Sequence, residues 1–134
     1  NLNENNGILG FGWSHPSYGS KISSSGAWTE GNFSNLIFNT SDKNIDKIII
    51  NIKKILQEEN KNIKLNFLFN DITLPNQNIK IHSNKIQLSS IKNYLKLGSN
   101  KLVIEIKNPQ TALSKLESVD ARLLGVLITG LEFK

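Results

Sequence analysis

The residues best suited to chemistry lie in one glycine-rich stretch near the N-terminus: Gly10-Phe11-Gly12-Trp13-Ser14-His15-Pro16, then Tyr18, then Gly26-Ala27-Trp28-Thr29-Glu30-Gly31. Both tryptophans of the chain are here, with one of its two histidines. Indoles and a phenol held on turns offer flat apolar faces to a ring-shaped ligand, while neighbouring polar side chains bind its hydroxyls. If the segment around Trp28 is extended, the two-residue period of a strand puts Glu30 on the same face and sets a carboxylate acceptor beside an indole. That pairing suits a saccharide, whose C–H face stacks on the ring. Trp13, His15, Tyr18, Trp28 and Glu30 are therefore the candidate ligand contacts. The competing structural reading has both indoles plugging the end of a small β-sandwich and Glu30 binding backbone amides of the glycine-rich loop.

No other set of residues is as coherent. His15 and His82 are far apart in the chain and have no thiol or close carboxylate partner, so no zinc site is expected, and His82 reads as a turn residue. Asp42, Asp46 and Asp71 could offer oxygen ligands to a structural calcium ion, but no spacing among them calls for one, and no cofactor is expected. Nucleophile elbow, phosphate loop, His-Glu-x-x-His and dinucleotide fingerprint are all missing. Glu58 and Glu59 are adjacent and would point apart, and Asp42 and Asp46 sit in a loop, so neither pair makes the facing carboxylates of a glycosidase. Taken alone, this stretch of chain is not expected to be an enzyme. Asp120 and Arg122 read as an ion pair holding the last loop. Glu30-Gly31-Asn32-Phe33-Ser34 has the form of a bacterial N-glycosylation acceptor and Asn39-Thr40-Ser41 that of the looser sequon, although abundant asparagine makes chance the default for both.

Composition bounds the setting of these residues. A chain of 134 residues fits one domain with its own core, expected over residues 7–134, and the polar run Asn1 to Asn6 reads as disordered or as a linker remnant. The absence of methionine leads us to expect a processed protein or, as the favoured reading, a piece of a longer polypeptide. With no cysteine, disulfides and thiolate chemistry are excluded. The net charge of +5 rests on lysine, since Arg122 is the one arginine, which argues against specific nucleic-acid recognition by planar guanidinium groups. The excess of Lys, Asn and Ile fits an AT-rich bacterial genome. No apolar run approaches the length of a membrane span, so direct membrane insertion is not expected.

The elements that would position the candidate contacts are short and β-like. Leu36 to Phe38, then Ile48, Ile50 and Ile52, then Ile63, Leu65, Phe67 and Phe69 give apolar runs with two-residue alternation. Asn70-Asp71 tolerates positive φ and predicts a tight hairpin into Ile72-Thr73-Leu74. Ile79, Ile81, Ile86 and Leu88 continue the β character on either side of a polar His82-Ser83-Asn84 turn, Lys101 to Lys107 alternates again, and Arg122 to Phe133 alternates loosely around Gly125 and Gly130. One helical turn is allowed between Ser89 and Leu95, and a long exposed loop is expected between Tyr18 and Gly26. About nine short strands with no 3.6-residue period predict an all-β antiparallel sandwich of jelly-roll type, with at most one short helical turn.

Gly12-Trp13-Ser14-x-Pro16, Gly26-x-Trp28-Thr29-x-Gly31, the hairpin Phe69-Asn70-Asp71-Ile72 and the closing Asp120-x-Arg122-x-Leu124-Gly125 occur in an order that covers nearly the whole chain. This order resembles a family of small β-sandwich modules attached to bacterial glycosyltransferases, phosphoglycerol transferases and other enzymes of surface-polysaccharide assembly. The chain departs from that pattern in having Ser17 after the proline, where the family often has glutamate, and in the residues 18–25 that separate the two tryptophan motifs. The resemblance implies a non-catalytic, carbohydrate-binding-like accessory domain in the bacterial cell envelope, on its periplasmic or extracellular face. Its partners would be a glycan and the rest of the parent polypeptide, with the active site elsewhere. The alternative is a structural domain that docks the parent enzyme or a partner and binds no glycan.

Overall fold

The structure is a computed structural model that describes residues 7–14, 19–23, 25–41, 44–57, 62–111 and 122–134. The expected linker Asn1 to Asn6 lies outside them. In chain order the strands are β1 (Gly7–Leu9), β2 (Ala27–Glu30), β3 (Phe33–Thr40), β4 (Lys47–Ile55), β5 (Leu65–Phe69) and β6 (Ile72–Thr73). They continue as β7 (Ile79–His82), β8 (Lys85–Ser89), β9 (Gly98–Ile106), β10 (Gln110–Thr111) and β11 (Leu123–Phe133).

These strands form two antiparallel sheets packed face to face. The first runs β1-β3-β9-β5-β6; the second runs β10-β11-β4-β8-β7, with β2 also paired to β11. Consecutive strands stay in one sheet only at β5–β6, β7–β8 and β10–β11; at every other step the chain changes sheet, which wraps it around an all-β sandwich. Alternation decides which side chains meet. In β3, Ser34, Leu36, Phe38 and Thr40 turn inward and Phe33, Asn35, Ile37 and Asn39 outward, and in β9 Asn100, Leu102, Ile104 and Ile106 are the buried set. Phe38, Phe67 and Phe69 fill the middle with Ile48, Ile50 and Leu102, each burial contributing about 1.5–3 kcal/mol. Phe38 and Phe133 meet across the sheets with ring centres 5.1 Å apart.

The Asn70-Asp71 hairpin forms as its residue types require, both at positive φ (51° and 73°), between the paired Phe69 and Ile72. Asn70 also ties the turn to the loop before β9. Its Nδ2 donates to Tyr94 O and to Asn100 Oδ1, both at 2.9 Å, and its Oδ1 accepts from Lys101 N–H. The helical turn expected between Ser89 and Leu95 is a 3-10 turn at Lys92–Tyr94, and a second follows Pro75 at Asn76–Asn78. The loose alternation of the last strand has a physical cause: its register shifts between Leu124 and Leu127, Leu127 and Ile128, and Ile128 and Gly130, and each bulge resets which face the next side chain takes.

Candidate functional site

The glycine-rich segment closes one lateral edge of the sandwich. Gly10 N–H donates to Asn35 O at 2.8 Å and Asn35 N–H to Phe11 O at 2.9 Å, so this stretch first prolongs the pairing of β1 with β3 in the first sheet. Two residues later it belongs to the second sheet: Glu30 N–H donates to Gly12 O at 2.8 Å, Ser14 N–H to Trp28 O at 3.0 Å, and Trp13 faces Thr29 in a bridge. Gly12 makes the crossing possible. Its φ is +88°, and a Cβ there would stand 2.0 Å from the Phe33 carbonyl oxygen. Ser34 Oγ adds a bond to the Gly12 carbonyl.

Trp13 is half-buried and packs against the main core, and its indole N–H donates to Asn35 O at 2.8 Å. One backbone carbonyl of the first sheet thus receives both Gly10 N–H and the indole N–H. Trp13 pins the crossing, and its one polar atom is engaged within the fold. Asn35 is the hub of this corner, because its Oδ1 also accepts Phe11 N–H at 3.0 Å. The sequence carries no local signal for that role, since the bonded groups are more than twenty positions apart. Below the crossing, buried Thr29 accepts Val126 N–H on Oγ1 at 2.9 Å, which satisfies a donor at the β11 bulge. A Cβ at Gly125 would come within 2.2 Å of Ile106 Cδ1 and 2.9 Å of Thr29 Oγ1, so these buried side chains would have to shift to admit one.

Trp28 is placed differently. Strand β2 turns Ala27 and Thr29 into the core and Trp28 and Glu30 to the outer face of the second sheet. The half-buried Trp28 rests on Leu56 and Leu124, a small apolar cluster apart from the main core. Glu30 is half-buried beside it, and its carboxylate takes no hydrogen bond or ion pair from a described residue. Among the described residues it is the backbone N–H of Glu30, not its carboxylate, that engages the glycine-rich loop. Arg122 donates to Ser14 Oγ, which ties the start of β11 to the crossing segment.

His15 and Tyr18 lie outside the described residues, as do Asp42, Glu58, Glu59 and Asp120. Asp46 Oδ1 accepts Lys92 N–H at 3.2 Å, and Asp71 pairs with Lys101 at 2.9 Å on the surface. Among the described residues no three His, Asp or Glu groups are placed to hold a metal ion, and no helix is long and apolar enough to cross a membrane. His82 is exposed at the end of β7. Asn32 of the first sequon is exposed between β2 and β3, with its Nδ2 donating to Ile106 O. Two grooves lined by described residues lie away from both tryptophans. A polar one of about 320 Å³ sits beside the Asn70-Asp71 turn, and one of about 510 Å³ sits between β5 and β7.

No protein-family model matches this chain, and no curated protein is significantly similar to it.

Proposed function

We propose that this domain is a non-catalytic carbohydrate-binding module of a larger bacterial enzyme of envelope or surface-polysaccharide assembly, a glycosyltransferase or phosphoglycerol transferase. It works on the periplasmic or extracellular face of the envelope, and the parent polypeptide carries the catalysis. The observation that supports this reading best is the Trp28–Glu30 pair, a half-buried indole beside a carboxylate that no described residue engages, side by side on the outer face of β2. Stacking on the indole supplies affinity, and the carboxylate orients sugar hydroxyls by accepting from them. Trp13 holds the segment that presents them, while His15 and Tyr18, from the same glycine-rich stretch of sequence, complete the contact set.

The test is a glycan array probed with the labelled domain, followed by calorimetric titration of any hit. Trp28→Ala should weaken binding at least about tenfold, near the ~1.4 kcal/mol of one stacking contact. A folded domain that binds no saccharide would refute the proposal. One observation favours the docking alternative: the indole N–H of Trp13 is committed to the fold, as a scaffold role for this segment requires. Under that reading the domain would co-purify with its parent enzyme's other domains and leave every glycan unbound.

A further inference from the structure

Among the described residues nothing covers the lateral edge opposite the glycine-rich crossing, and its chemistry suits a peptide strand. The second sheet ends at β7, which pairs with β8 alone. The two-residue turn Ser83-Asn84 makes His82 and Lys85 the hydrogen-bonded pair nearest the turn, so alternation directs the N–H and C=O of Ile81, and the C=O of Ile79, away from β8. No described residue meets these three groups; the N–H of Ile79 is the one that is used, donating to Asn76 O. On the first sheet, β6 and Leu74 cover β5 only from Phe67 onward, and no other described residue pairs with that side of β5 at Leu65.

Between these two edges lies the groove of about 510 Å³. Its lining is apolar from Ile63, Leu65, Ile79 and Ile81, with Ile81 44% exposed although its side chain points toward the core face shared by Ile86. Lys64 and Lys107 stand on the groove, exposed, and among the described residues neither is in an ion pair and no carboxylate lines the groove. Open strand edges ordinarily carry lysine to discourage pairing with like edges, and Lys80 of β7 fits that use. Lys64 and Lys107 lie instead on the rim of an apolar trough beside unpaired backbone groups.

We infer that this groove binds an extended acidic peptide of a partner protein, which adds as a strand to β7, seats an aliphatic side chain between Leu65 and Ile81, and pairs flanking carboxylates with Lys64 and Lys107. Charge selects this occupant over a second copy of the chain. Two such edges brought together would face lysine with lysine, on a chain whose net charge is already +5.

The experiment titrates the 134-residue chain with the fluorescein-labelled pentapeptide Asp-Val-Ile-Val-Glu, read by anisotropy, with Lys-Val-Ile-Val-Lys as its control. Amide hydrogen exchange is followed on the same samples. The acidic peptide should bind at least tenfold more tightly than the basic one and slow exchange at the Ile81 amide. The doubly substituted Lys64→Glu, Lys107→Glu chain, altered only at exposed positions, should lose at least tenfold in affinity. Equal binding of the two peptides, or none at millimolar concentration, overturns the proposal. So does concentration-dependent self-association that protects Ile81 without peptide, which would assign the edge to a second copy. Binding of hexagalacturonate in the groove without protection of Ile81 would assign it to an anionic glycan and overturn the proposal equally.

Discussion

Gly12, Trp13 and Asn35 show how much one corner of the sandwich asks of single residues. At Gly12 the chain leaves one sheet for the other at a φ that side chains rarely adopt, with a carbonyl oxygen where a Cβ would stand. Gly12→Ala should therefore cost about 3 kcal/mol, measured by urea unfolding, from backbone strain plus displacement of β3. Trp13→Phe keeps most of the buried ring and removes one hydrogen bond, so the expected loss is smaller, about 1 kcal/mol. Thr29→Val is a third case. The shape is conserved, but the Val126 N–H loses its acceptor at a fully buried position, and the cost should be about 1–3 kcal/mol. If Thr29→Val left the unfolding midpoint unchanged, the bulge at Gly125 would be satisfied in some other way.

At the scale of elements, the turn chemistry of Asn70-Asp71 gives a prediction with the opposite sign. Both residues are at positive φ, and Asp71 contributes only a surface ion pair to Lys101, of a kind worth little. Asp71→Gly should leave stability unchanged or raise it by about 0.5 kcal/mol, seen as a small rise in Tm. This hairpin, the alternating runs that became β4, β5, β7, β8 and β9, and the 3-10 turn before Gly98 could all be read from residue types, because each rests on local periodicity or on a residue's own φ preference. Strands β1, β2 and β10 could not. They are two to four residues long, too short for a period to show, and they are strands only because distant partners align them. The site divides the same way. That Trp28 and Glu30 share a face follows from strand geometry alone. The engagement of Trp13 does not, because its acceptor lies 22 residues away in a strand of the other sheet.

Over the whole molecule the two lateral edges of the sandwich differ in kind. One is sealed by the glycine-rich crossing, with Trp28 and Glu30 on the outer face beside it; the other, among the described residues, is left open between β5 and β7. Sheets whose neighbours are mostly distant in sequence, as β3 with β9 and β4 with β11 are, fold slowly for their size, and refolding on the millisecond-to-second scale is the expected result in stopped-flow fluorescence. Under the proposed function the sealed edge presents Trp28 and Glu30 to a ligand, and fluorescence can follow that indole directly. In a Trp13→Phe chain, Trp28 is the sole indole, so its fluorescence reports that site alone. On titration with a glycan identified by array, the emission should shift and acrylamide quenching should fall in proportion to the bound fraction. Saturation by the glycan with no change in Trp28 emission or quenching would show that the sugar does not stack on Trp28.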